Sequence, residues 1–242
     1  MKINKAIVTS TENNKYLDFW PVVKKSWERL EVEPVLYIIS DKINEHSDAK
    51  YFHIPEVNPV FVSQTLRLLA PSLHKDDICI ISDMDMIPLS KDYFVNKLKN
   101  YEDDKFVIFR SGATSEDMLP ICWNAAKGST WSKIFKVNNI TEITQELTSW
   151  YPKSYKPFKD SWYLDQFILK KSIDNFELDN KSKVIRLTDE ILNFKRLNRS
   201  NYRSDLKMFK QSPNLFVDFH MPRPYKLHKK SINKVLKIIE NY

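Results

Sequence analysis

Apolar residues in this chain come in short continuous runs, separated by stretches where they recur every three to four positions, an alternation that predicts strands and helices in turn. Lys5 to Ser10 is a short buried strand ending in small hydroxyl residues. Leu17, Trp20, Val23, Trp27 and Leu30 then fall on one helical face, with Pro21 near a first turn or a kink. Val35 to Asp41 begins as a second apolar run, so strand, helix and strand together predict a parallel crossover unit. Residues 62–73 are helical, with Leu66, Leu69, Ala70 and Leu73 as the core stripe and with Gln64 and Arg67 off it. Asp77 to Ser82 is the pattern of a central strand buried on both faces, and it runs directly into Asp83-Met84-Asp85. Phe106 to Phe109 is another strand, followed by Arg110-Ser111-Gly112 as a turn.

Beyond residue 112 the alternation weakens, and interleaved Trp, Tyr, Pro and Lys over 123–163 predict a less regular lobe. Helical spacing returns at 162–168, and a last strand over 215–219 leads to His220. Ile232, Val235, Leu236 and Ile239 share a face of a C-terminal helix, for which Ser231 is the expected N-cap. The pattern as a whole predicts a single α/β domain spanning 1–242.

Composition narrows the chemistry. Only Gly112 and Gly128 are present, too few for a Walker A loop or a G-x-G-x-x-G fingerprint, so phosphate must be met by side chains and metal. Cys79 and Cys122 lie in apolar surroundings and are expected in the core, which leaves neither a disulfide framework nor a cysteine metal site. A formal net charge of +7 favours anionic partners without choosing among nucleic acid, membrane surface and phosphate-bearing substrate. No secretory leader or membrane-spanning run stands out, so the expected location is the cytoplasm, or the host cytoplasm if the source is viral.

In open α/β sheets, ligands bind beyond the carboxyl ends of the strands, and Asp83 and Asp85 sit where such a strand stops. Two carboxylates leaving a strand into a turn can face one hard cation, Mn²⁺ or Mg²⁺, that shares its oxygen shell with substrate phosphates. The segment from Leu73 to Ile87 resembles the D-x-D region of the GT-A superfamily of nucleotide-sugar glycosyltransferases. The resemblance implies a Rossmann-like, mixed but mainly parallel central sheet flanked by helices, with a nucleotide-binding half over 1–112 and a less regular acceptor-side half over 113–242. By position, Asp83 would contact the donor ribose or the metal, and Asp85 would ligate the metal. Thr9 and Ser10, ending the first strand, are expected at the donor, and Arg67 at a donor phosphate or sugar.

Asp218 to Tyr225 is similar to the C-terminal histidine segment that completes the metal site in several GT-A families, which makes His220 the third expected metal ligand. The glycine and lysine that some families place after the histidine are absent, and Arg223 would take over the phosphate contact. Trp162-Tyr163-Leu164-Asp165-Gln166 is similar to the segment below the donor sugar, making Asp165 the expected catalytic acid. It would be a general base in an inverting enzyme or a stabiliser of the developing cation in a retaining one. In Cys122 to Gly128, Asn124 would contact the sugar, and Trp123 or Trp131 would stack on it. His46, His53, His74 and His228 lack such a context. The expected activity is sugar transfer from a nucleotide-diphosphate sugar to an acceptor hydroxyl, with no nucleic acid partner and a peripheral membrane contact through the basic C-terminal helix. Two other classes stay open. A two-metal nucleotidyltransferase or phosphoesterase would need a further carboxylate, for which Asp218 and Asp41 are the candidates. A basic nucleic-acid-binding protein would show a steep salt dependence.

Overall fold

The computed structural model describes residues 1–42, 48–157, 159–188 and 194–240. The chain opens with β1 (Lys5–Thr11), the single turn α1 (Asn14–Leu17), α2 (Trp20–Glu28) and β2 (Glu33–Ile39). Next come β3 (Ala49–Phe52), α3 (Pro59–Leu69), β4 (Ile78–Ser82), β5 (Met86–Pro88) and β6 (Phe106–Ile108). The second half adds β7 (Asn124–Lys127), α4 (Gly128–Phe135), α5 (Ile140–Trp150), α6 (Leu164–Asn180), β8 (Val184–Arg186), β9 (Lys195–Asn198), α7 (Tyr202–Gln211), β10 (Phe216–His220) and α8 (Tyr225–Ile239).

Seven strands form one sheet in the order β3-β2-β1-β4-β7-β6-β8. All neighbours in it are parallel except β7, which runs against both β4 and β6. Alternate side chains of β1 and β4 enter opposite layers. Ala6, Val8, Ile78 and Ile80 pack on one face, and Ile7, Cys79 and Ile81 on the other. A strand covered on both faces has no solvated side, which is why these segments are continuously apolar. A second sheet of three strands, in the order β5-β10-β9, abuts the first, with β10 antiparallel to β5 and parallel to β9.

The helices begin where local chemistry allows. The Asn58 side chain accepts from Val60 N at 2.9 Å to cap α3, and Pro59 takes its first turn, so this helix starts earlier than its apolar stripe. Pro21 lies in the first turn of α2, as its missing N–H favours.

Two expectations are corrected. The span 123–163 is not an irregular lobe throughout, because it supplies β7 to the large sheet and then α4 and α5. The C-terminal helix starts at Tyr225, not Ser231, with Pro224 at its N-cap position. Ile232, Val235 and Ile239 are buried along it as expected, and Tyr225 packs edge-on against Phe19, with ring centroids 5.4 Å apart. Both glycines have a backbone reason. Gly112 holds φ +83° in the turn after β6, and a Cβ on Gly128 would come within 2.1 Å of the His74 carbonyl oxygen.

Candidate active site

Strand register assembles the site. β4 is buried along its whole length, and the chain leaves it through Asp83-Met84-Asp85 before joining the small sheet at Met86. Opposite Met86 stands His220, the last residue of β10, and Met221 N donates to the Asp85 carbonyl at 2.8 Å. β9 lies parallel on the other side of β10 with Asn198 opposite His220, so the next residue, Arg199, arrives at the same point. Asp85, from the first half of the chain, thus meets an imidazole and two arginines from its last fifth.

Asp85 is the hub of this cluster. Its Oδ2 lies 3.4 Å from His220 Nε2, 3.3 Å from Arg199 Nη1 and 3.3 Å from Arg223 Nε. Burial pushes the Asp85 carboxyl up, but His220 beside it and the charges of Arg199 and Arg223 outweigh it and hold the group below the ordinary carboxylate range. Arg199 also donates through Nη2 to His220 Nε2. Burial lowers the pKa of Arg199, with Asp85 opposing and Arg223 adding to the effect. Arg223 lies over the Tyr16 ring, 5.1 Å from its centroid, and donates to the Tyr16 hydroxyl.

Arg67 organises a second cluster. From α3 it donates through Nη1 to Asp83 and through Nη2 to Asp165 Oδ2 at 2.8 Å. One guanidinium therefore serves two carboxylates, and they hold it charged despite its burial. Asp165 is only 3% exposed, and burial raises its carboxyl above the usual range, with Arg67 opposing the rise and the negative charge of Asp83 adding to it. Thr9, Ser10, Tyr16, Ser63, Gln64, Arg67, Asp83 and Trp162 line an open cleft of about 140 Å³, which the Asp85 cluster reaches through the contact of Arg223 with Tyr16. Thr9 donates its hydroxyl to the Ser63 carbonyl, tying β1 to α3 at the cleft wall.

The fold brings some of the expected residues together and leaves others apart. Thr9, Ser10, Arg67 and Asp83 line one cleft, and His220 meets Asp85. The expected three-residue metal set is not assembled. Asp83 is engaged by Arg67, and among the described residues no group of three or more His, Cys, Asp or Glu is placed to hold an ion. Asp85 and His220, 3.4 Å apart, are an oxygen and a nitrogen donor of the kind a divalent cation takes, and by themselves they would leave most of its shell unfilled. Asp165 does not line the cleft; its Oδ2 is held by Arg67 and its Oδ1 accepts from Gln166 N at 2.9 Å.

Asn124 is fully buried in β7 and donates to the carbonyls of Pro120 at 2.7 Å and Ile121 at 2.8 Å, so it is not presented to a sugar. Trp123 and Trp131 are core residues, and Trp123 Nε1 donates to Asp218 Oδ2 at 2.6 Å. Asp218 also binds Arg196 and is fully buried, which removes it as an extra metal carboxylate. His74 bonds the Tyr37 hydroxyl at 3.2 Å and is structural. His46 lies outside the described residues. Arg199 was not foreseen, because it follows a short charged strand without apolar alternation and only the pairing of β9 with β10 brings it to His220.

No protein-family model and no curated protein matches this sequence. Solved structures do match. The chain is similar to galactosyltransferase LgtC in complex with donor and acceptor sugar analogues, at 12% identity and a TM-score of 0.50, over 98% of this chain and 95% of that one. It is similar to glycosyltransferase GlyE in Streptococcus pneumoniae TIGR4, at 12% identity and a TM-score of 0.51, over 100% of this chain and 63% of that one. Strand order and structural likeness together show that this chain has the GT-A fold, a mainly parallel α/β sheet with helices on both faces.

Proposed function

We propose that the chain is a glycosyltransferase that takes a sugar from a nucleotide-diphosphate sugar and passes it to an acceptor hydroxyl. The observation that carries this reading is the meeting of Asp85, at the carboxyl end of β4, with His220 from β10, 3.4 Å apart beside an open cleft. Thr9, Ser10 and Asp83 line the part of the cleft suited to the nucleoside, and Arg67 holds Asp83 in place there. Arg223 borders it through Tyr16 and offers a guanidinium to phosphate. Asp85 and His220 would hold Mn²⁺ or Mg²⁺, which when bound supplies charge neutralisation at the departing diphosphate. Asp165 is best read as the positioning partner of Arg67, since both of its oxygens are already engaged.

The acceptor is a sugar-bearing molecule. On α8, Lys229, Lys230 and Lys234 are exposed together with Leu227, a face that suits an anionic membrane carrying a lipid-linked acceptor. Co-sedimentation with anionic vesicles that is unchanged after replacing these lysines by glutamine would discard that contact.

Calorimetric titration with UDP, GDP, ADP and CDP, with Mn²⁺ and with chelator, tests the main reading. One nucleotide is expected to bind with Mn²⁺ present and to lose at least tenfold in affinity in Asp85→Ala. A protein that ignores every nucleotide in both conditions is not this enzyme.

A further inference from the structure

Arg199 uses the same two atoms that a cation would use. Its Nη1 lies 3.3 Å from Asp85 Oδ2, and its Nη2 donates to His220 Nε2. A ring nitrogen that accepts a hydrogen bond has given its only lone pair, so a guanidinium N–H and a metal ion cannot both hold it. Arg223 Nε approaches the same Asp85 oxygen at 3.3 Å, so two permanent cations converge on one buried carboxylate. That carboxylate cannot neutralise both. The Arg199 side chain remains 30% exposed at the end of β9, leaving it room to turn away, and its planar fork matches two oxygens of a diphosphate.

We propose that Arg199 and a divalent cation are alternative partners of Asp85 and His220, and that Arg199 becomes a direct ligand of the donor diphosphate when the cation takes its place. The inference rests on the nucleotide-sugar reading above. A cation arriving alone must evict Arg199 and leave it beside Arg223 without an anion. A cation arriving with a diphosphate evicts it onto a new partner. Cation and diphosphate therefore favour each other's binding, and by linkage the coupling is reciprocal.

The test is calorimetric titration of Mn²⁺ alone, and of the best-bound nucleoside diphosphate at saturating Mn²⁺, into the wild type, Arg199→Gln and Arg199→Lys, with thermal melts to confirm folding. Arg199→Gln removes the competitor and should bind Mn²⁺ alone about tenfold more tightly, yet bind the nucleoside diphosphate about tenfold more weakly, each shift being about 1.4 kcal/mol. The parent nucleoside, which has no phosphate, should bind all three proteins alike, and Arg199→Lys should fall between the other two. Equal Mn²⁺ affinity in wild type and Arg199→Gln, undetectable Mn²⁺ binding in both, or an unchanged nucleoside diphosphate affinity would each overturn the proposal. Failure of the wild type to bind any nucleotide would instead count against the glycosyltransferase reading, while the Mn²⁺ titrations would still read the competition directly.

Discussion

Two acids one residue apart have been given opposite surroundings. Asp85 faces His220, Arg199 and Arg223, whereas Asp83 faces Arg67, which it shares with Asp165. Because the folded pKa of Asp85 lies below its unfolded value of about 3.9, its ionisation stabilises the fold at neutral pH, and that contribution is lost as the pH falls through the folded value. The stability of the wild type relative to Asp85→Asn should therefore be greatest near pH 6 and shrink below about pH 4, which urea melts at a series of pH values will show. An unchanged difference across that range would mean that the cluster leaves Asp85 unshifted. The cysteines give a second check. Burial pushes both the Cys79 and the Cys122 thiols up to about 12, so a maleimide at pH 8 should label neither in the folded protein and both in guanidinium.

Elements differ in how plainly the sequence announces them. β1, β2, β4 and β6 are apolar runs that only a sheet covered on both faces accommodates, and they fall where periodicity puts them. The acid pair after β4 and the histidine ending β10 were legible for the same reason, since each terminates such a run. β7 was not. Its Asn-Ala-Ala-Lys carries no β-branched or aromatic residue, and Ala125 and Ala126 enter opposite core layers without an apolar run to announce them. The start of α8 was masked by Pro222, Pro224 and a run of lysines, while the Arg67 pairing joins residues 98 positions apart and leaves no local trace. The junction from β7 to α4 makes a sharp prediction. Gly128→Ala would drive its Cβ into the His74 carbonyl and should destabilise the protein by about 1–3 kcal/mol, measured as a drop in the urea midpoint. A neutral result would show that the backbone from Pro71 to His74 yields without cost.

At the scale of the molecule, strands from the two halves of the sequence interleave in one sheet. β7 and β8 come from beyond residue 112, yet β7 lies between β4 and β6, and β8 closes the edge of the same sheet. A fragment of residues 1–112 would leave the partner edges of β4 and β6 unpaired, so it should show no dispersed amide spectrum, whereas the whole chain should unfold in a single urea transition. A folded fragment would contradict this interleaving. The reversed direction of β7 has an evolutionary corollary. The chain leaves β6 and enters β7 at the same rim where Asp83 and Asp85 emerge, and the excursion between them stands on that rim. That excursion is pinned at its base, with Phe109 N on the Trp123 carbonyl at 3.1 Å, and on its return, with Leu119 N on the Gln166 carbonyl at 3.3 Å. Between those anchors Gly112, Ala113 and Ser115 to Asp117 are exposed and take no part in the strand ladder. Descendants of this sequence can vary the length and chemistry of that stretch while the scaffold stays constant, making it a place where a lineage can acquire new binding chemistry.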